Sequence, residues 1–192
     1  MLFRSFVRCW TNAPLLVRRD DGLFLRASDI GIGPQSSFVV LDEQSGTPRA
    51  YDPTSSVSSE DAAGFALAGE VALRAPASTV RVEPAFAAYQ RALGATTLDQ
   101  AAQVTGIPAA RIREFAHLLG AARSTCYYCW TGVGQHADAT QIDRAIATLF
   151  ALKGQIDAPG GNVAWSAPRT NPVDDMAILS AGQRAKALGL NE

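Results

Sequence analysis

Ser124-Thr-Cys-Tyr-Tyr-Cys-Trp130 leads into Thr131-Gly-Val-Gly-Gln-His136, and a helical stretch then closes in Lys153-Gly-Gln-Ile-Asp-Ala-Pro-Gly-Gly-Asn162. This run decides the fold. Its first piece is aromatic, polar-neutral and without charge, the composition of a central strand buried on both faces. Its last piece carries Ile142, Ala145, Ile146, Leu149 and Leu152 on one face of a helix of about 15 residues, with Gly154 as the stop. Strand, glycine turn and helix is how α/β proteins set a phosphate-bearing ligand at the carboxyl end of a strand. The expected fold is therefore α/β, a parallel-sheet core with flanking helices, preceded by a β-hairpin-rich segment.

The turn itself has the chemistry of binding rather than of catalysis. Gly132 and Gly134 let a backbone approach a ligand closely and adopt positive φ. The first amides of the helix that follows carry partial positive charge. Thr131 offers a hydroxyl, Gln135 an amide, and His136 a ring that contacts a ligand or caps the helix. These residues suit a polar, anionic, ring-bearing group. They include no nucleophile–base pair and no acid pair. An ordinary βα loop with glycines for tight geometry has the same spelling, and the residues alone leave both readings open.

Upstream, residues 1–60 read as an initial helical turn and then hairpins. Leu15–Arg18 and Leu23–Arg26 flank Asp20-Asp-Gly22, and Phe38–Asp42 and Arg49–Tyr51 flank Gln44–Pro48. Asp29-Ile-Gly-Ile-Gly-Pro34 is a plain turn, because a Pro follows and no helix does. Residues 53–60 read as an exposed linker. Residues 61–83 hold short strands, Phe65 to Arg74 and Thr79 to Glu83. Residues 84–165 read as an α/β portion, the one expected to bind a cofactor. There Phe86, Tyr89 and Leu93 mark one helix, and Thr97-Leu-Asp-Gln100 is a capping box that opens the next. Pro108 stands at the first position of a third, whose buried face is Ile112, Phe115, Ala116 and Leu119. His117 lies off that face and reads as a surface residue. Residues 166–192 read as loop and weak helix.

Composition excludes several classes. Hydrophobic residues are 47% and charged residues 18% of the 192, which is globular rather than disordered. A formal net charge of -1 gives no footprint for nucleic acid. No apolar run is long enough for a transmembrane helix. The N-terminal residues lack the apolar core of a signal peptide and read as a helix already under way, as in a chain cut from something longer. The compartment is not legible. Cys9, Cys126 and Cys129 are too few for a disulfide framework. On a strand, Cys126 and Cys129 point to opposite faces, so they read as buried structural thiols rather than a redox or metal pair.

The order of these motifs resembles the central α/β domain of the molybdopterin oxidoreductases, the DMSO reductase family. That family carries a segment like W-T-x-G-x-x-Q-H, a helix, and L-T-G-x-x-x-x-P-G-G. Here stand Trp130, Thr131, Gln135, His136, Arg144-Ala-Ile146, and Leu152-Lys-Gly-Gln-Ile-Asp-Ala-Pro-Gly-Gly161. Lys153 replaces the usual threonine. Phe6–Arg18, Leu25-Arg-Ala-Ser-Asp29, Pro84-Ala-Phe86 and Thr97–Ile112 resemble further segments in the same order.

The resemblance implies a fragment of a molybdenum or tungsten bis-molybdopterin guanine dinucleotide oxidoreductase. Thr131, Gly132, Gly134, Gln135 and His136 would contribute to the pterin pocket of a two-electron redox enzyme. The metal ligand, and any iron–sulfur cluster, would lie in the full-length parent and outside this chain, and no catalytic or metal-binding residue is assigned here. Implied partners are the remaining domains of the parent and an iron–sulfur electron-transfer subunit. Two rivals stand beside this reading: an α/β structural or interaction module that has lost the cofactor, and a nucleotide-binding protein using the glycine turn. The second lacks a Walker-type Lys-Ser/Thr.

Overall fold

The computed structural model describes residues 4–55, 59–76, 78–163 and 179–184. A short helix, α1 (Arg4–Trp10), enters β1 (Leu16–Arg18). The Asp20-Asp-Gly22 turn reverses the chain, with Arg18 N–H donating to the Leu23 carbonyl at 2.8 Å and Leu25 N–H to that of Leu16 at 2.8 Å. Gly22 takes the left-handed conformation, φ 73°, that this reversal needs. The second hairpin pairs β2 (Phe38–Leu41) with β3 (Pro48–Tyr51). Asp42 organises its turn by accepting from the Ser45 and Gln44 amides and the Ser45 hydroxyl. Those bonds, that of the Ser45 amide foremost, lower the Asp42 pKa. Both sequence hairpins are thus present.

Helix α2 (Ser59–Ala63) follows, so the stretch read as a linker turns helical at its end. Strands β4 (Val71–Arg74) and β5 (Thr79–Pro84) then complete a three-stranded sheet in the order β1-β5-β4. The strand expected from Phe65 begins only at Val71. Phe65 instead makes a lone bridge to Asp42.

Alternation along the strands explains where the core sits. Leu16, Val39 and Leu41 face one buried cluster with Leu25 and Val82, while Leu15 and Val40 face another with Ala62 and Phe65. Neighbours in sequence go to opposite faces because the strand period is two. A third cluster, Val7, Ala13 and Leu67, is covered by Phe86 and Leu152 and ties the β layer to the helices. On β5, Glu83 is buried, 6% exposed, and accepts from Arg19 at 2.9 Å and Arg91 at 2.5 Å.

Four helices continue: α3 (Ala85–Gly94), α4 (Leu98–Thr105), α5 (Ala109–Ala121) and, after an interval, the long α7 (Ala139–Lys153), with the single turn α6 (Thr131–Gly134) before it. The capping box at α4 is formed, Thr97 accepting from the Gln100 amide at 3.2 Å and Gln100 from the Thr97 amide at 2.8 Å. Pro108 sits one residue ahead of α5 as its N-cap. Lys153 reaches back to the end of α5, donating to the carbonyls of Gly120 at 3.2 Å and Ala122 at 2.7 Å. A cation at these carbonyls is the favourable charge for a helix C-terminus. The end of the chain contributes α8 (Ala181–Arg184); the rest of the expected weak helix lies outside the described residues.

The architecture is mixed helix and sheet, as expected, but every ladder among the described residues is antiparallel. A single parallel bridge joins Ile156 and Asn162. Residues 124–130 have no regular secondary structure and pair with no strand among the described residues, and most of them are exposed. Their neutral composition suits a central strand, but a ladder needs a neighbouring strand, and no described segment supplies one. For the same reason Cys126 and Cys129 are exposed, not buried. The face of α5 expected to be buried is open, with Phe115 58% exposed. On α7 the buried residue is Phe150, whereas Ile142 and Leu149 are exposed. The stripe of apolar residues was readable; which part of it meets other elements depends on packing that lies outside the helix.

Candidate functional site

The segment 124–130 is held by the turn that follows α7. Gln155 Oε1 accepts from the Thr125 amide at 3.1 Å. Asn162 Oδ1 accepts from the Tyr127 amide at 2.7 Å, and its Nδ2 donates to the Tyr127 carbonyl at 3.2 Å. Two side-chain amides thus do on one edge what a neighbouring strand would do. The Tyr127 ring packs on Phe150, with centroids 6.0 Å apart. Bonding to the Cys129 side chain, with desolvation next, raises the Tyr127 pKa.

The Pro159-Gly160-Gly161 turn is built for this contact. The Asn162 amide donates to the Gln155 carbonyl at 2.8 Å and the Asp157 amide to the Asn162 carbonyl at 2.6 Å. A Cβ on Gly161 would overlap the Gln155 carbonyl, and one on Gly160 would come within 2.8 Å of Ser124 Oγ. Both glycines are therefore steric necessities. Gln155 and Asn162 carry no role in the sequence reading. The signal was their position flanking Pro-Gly-Gly, since short amides beside a tight turn commonly bond to main chain.

The five residues expected to bind a cofactor are brought together at the end of this segment. Thr131, Gly132 and Gly134 form the turn α6, and Gln135 and His136 leave it, their amides donating to Gly132 and Val133 carbonyls at 3.3 Å each. The glycines differ from expectation. Neither has positive φ, because the turn is right-handed helical. What glycine supplies here is space: nothing lies within 4 Å of where either Cβ would stand. All five are exposed. Among the described residues, the side chains of Thr131, Gln135 and His136 make no hydrogen bond, so their donors and acceptors are available.

This turn does not line the cleft beside α1. That cleft, about 720 Å³, lies between α1 and the loop after α7, lined by Phe6, Trp10, Thr11 and residues 154–159. No group of three or more metal-ligating side chains occurs among the described residues. No helix of the described residues is long and apolar enough to cross a membrane.

Comparison with known proteins gives the family context. No known protein-family profile matches the chain. A protein of Halobacterium salinarum named as the catalytic subunit of a dimethyl sulfoxide reductase is 29% identical over 157 residues, 81% of this chain and 18% of that protein. A sulfite dehydrogenase subunit from Allochromatium vinosum is 28% identical, across 88% of this chain and 20% of that protein. A dimethyl sulfoxide reductase chain, YnfF, of Escherichia coli K12 is 36% identical over 92 residues, 41% of this chain and 11% of that protein. The chain thus spans a fifth or less of the length of these relatives. The chain is thus similar to proteins named as dimethyl sulfoxide reductase and sulfite dehydrogenase subunits.

Proposed function

We propose that this chain is a pterin-binding portion of a molybdenum or tungsten bis-molybdopterin guanine dinucleotide oxidoreductase. The observation that carries the reading is the cluster Thr131, Gly132, Gly134, Gln135 and His136. It couples unengaged donors to open space over the backbone at the end of the segment 124–130. The fit to a pterin dinucleotide is one of donor chemistry. A hydroxyl, a carboxamide and an imidazole can meet ring nitrogens, carbonyls and phosphate oxygens. The glycines let the ligand reach main chain. Bound in the parent enzyme, the metal–pterin group would supply two-electron redox chemistry.

The tasks left to this chain are to hold and orient. Gln135 would fix the ligand through one donor and one acceptor. Thr131 would add a hydroxyl on the same turn. Asn162 and Gln155 would hold the segment ahead of the turn, and so set its position. No proton transfer or metal ligation is assigned to any residue of this chain. In the complete protein, the parallel sheet expected from the sequence would form around residues 124–130, with the remaining domains of the parent as partners. An iron–sulfur electron-transfer subunit would be a further partner.

The test is pterin content per folded protomer in the full-length protein, with circular dichroism as folding control. Gln135→Ala is expected to reduce retention by on the order of 1–3 kcal/mol of binding. Gly132→Val, which fills the open space over the backbone, is expected to reduce it further. Full cofactor content in both variants would make this turn scaffold and favour the rival reading, a structural module that has lost the cofactor.

A further inference from the structure

Thr125 and Tyr127 are half-buried, whereas Ser124, Cys126 and Tyr128 are exposed. A period of two is that of a strand, in which the main-chain groups of alternate residues share an edge. The edge that carries Thr125 and Tyr127 is occupied. Gln155 takes the Thr125 amide, and Asn162 takes both the amide and the carbonyl of Tyr127. A neighbouring strand would need those same groups, at a spacing of about 4.8 Å that the two side-chain amides now fill. Displacing them would undo more than three bonds. Their turn is closed by the Asn162 amide on the Gln155 carbonyl and by the Asp157 amide on the Asn162 carbonyl. The turn is also fitted to the segment, since a Cβ on Gly160 would meet Ser124 Oγ.

The opposite edge differs. Among the described residues nothing bonds to the main-chain groups of Cys126 or Tyr128. The chain spans a fifth or less of the length of its relatives. Parallel neighbours are joined by crossovers of a dozen or more residues, so the rest of the parent is where such a strand comes from. We propose that in the complete protein residues 124–130 take a strand of the parent on the Cys126–Tyr128 edge alone, and that Gln155 and Asn162 end the sheet on the other. The segment is then an edge strand, not the central one that its neutral composition suits. Covering an edge with a loop is one of the ways natural sheets stop further pairing. The proposal rests on the reading of this chain as part of a larger oxidoreductase, and it assigns which main-chain groups the parent's sheet meets.

The test is amide hydrogen exchange in the full-length protein, resolved to single residues by electron-transfer fragmentation. In the unmodified protein the four amides from Thr125 to Tyr128 are all expected to be protected, by about 100-fold or more over an unstructured chain. Two of them depend on the side-chain amides and two do not. Asn162→Ala is expected to speed exchange at Tyr127 by about tenfold or more, while Cys126 and Tyr128 stay as they were. Gln155→Ala is expected to do the same at Thr125 alone, and it serves where Asn162→Ala fails to fold.

Free exchange at Cys126 and Tyr128 in the unmodified protein would overturn the proposal, because no strand would then lie on that edge. So would a Tyr127 amide that stays protected in Asn162→Ala, or a Thr125 amide that stays protected in Gln155→Ala, because a strand on the clamped edge would be holding it. Pterin content of the same unmodified sample separates this from the cofactor reading. Pterin present with any of those three results sinks the one-sided edge and spares the binding turn. Pterin absent with the expected exchange pattern sinks the cofactor reading and upholds the edge.

Discussion

Asn162 closes on the main chain of Tyr127 from both directions, its Oδ1 2.7 Å from the Tyr127 amide and its Nδ2 3.2 Å from the carbonyl. The two residues are 35 apart in sequence, and the contact joins the start of the glycine-turn region to its end. Asn162→Ala removes both bonds and is expected to destabilise the fold by on the order of 1–3 kcal/mol. Hydrogen exchange at the Tyr127 amide should quicken more than exchange in β1 to β5. Unchanged protection at Tyr127 would mean that the segment is held by something other than this amide.

The glycines separate into two kinds by what surrounds them. Gly161→Ala drives a Cβ into the Gln155 carbonyl and should be strongly destabilising, because the turn is closed on itself by three main-chain bonds. Gly132→Ala meets open space in a helical turn without positive φ, so its stability should stay within about 0.5 kcal/mol of the parent. Urea midpoints of the two variants check this directly. Equal losses would contradict the steric distinction.

On α7 the decisive residue is Phe150, 8% exposed and stacked near Tyr127, rather than the exposed Ile142 and Leu149. Phe150→Ala should cost roughly 3–5 kcal/mol, as a buried aromatic deletion does. Ile146→Ala, at a half-buried position, should cost less. A larger loss at Ile146 than at Phe150 in the same denaturation series would restore the helix face expected from periodicity alone.

What could be read from sequence was local. Asp20-Asp-Gly22 and Gln44–Pro48 announce hairpins because turn chemistry is written in consecutive residues. Thr97 and Gln100 announce a helix start for the same reason, and Gly154 its stop. The grouping of Thr131 to His136 was also legible, being a single turn. What failed was non-local. The composition of 124–130 records what environment a strand would suit, not which strand lies beside it. The left-handed glycine expected at 132 or 134 gave way to a helical turn, because nothing within that hexapeptide fixes the sign of φ. The role of Asn162 needed knowledge that the Pro159-Gly160-Gly161 turn folds back onto Tyr127.

Among the described residues Glu83 is the buried carboxylate, and its pH response follows from the sign of its shift. Burial by itself would raise its pKa; hydrogen bonds from Arg91 and Arg19, with their charges, outweigh burial and lower it. The carboxylate therefore binds its proton less readily in the folded chain than in the unfolded one. Its contribution to stability is present above the ordinary glutamate range and is lost as pH falls through the depressed folded value. Asp42 and Asp52, also lowered by hydrogen bonds, lose stability in the same direction, so the whole chain should weaken in acid. A variant isolates the part due to Glu83. Glu83→Gln keeps the shape and removes the titration, while Arg19 and Arg91 remain partly in solvent. At neutral pH it should cost about 1 kcal/mol, the scale of an ion pair whose partners are solvated. The gap between parent and variant should then narrow as pH is lowered below the usual carboxylate range. Urea midpoints of both proteins between neutral and strongly acid pH measure that gap. A gap that stayed constant would show that Glu83 does not change its proton affinity on folding, and the Arg19–Glu83–Arg91 contact would then act through shape alone.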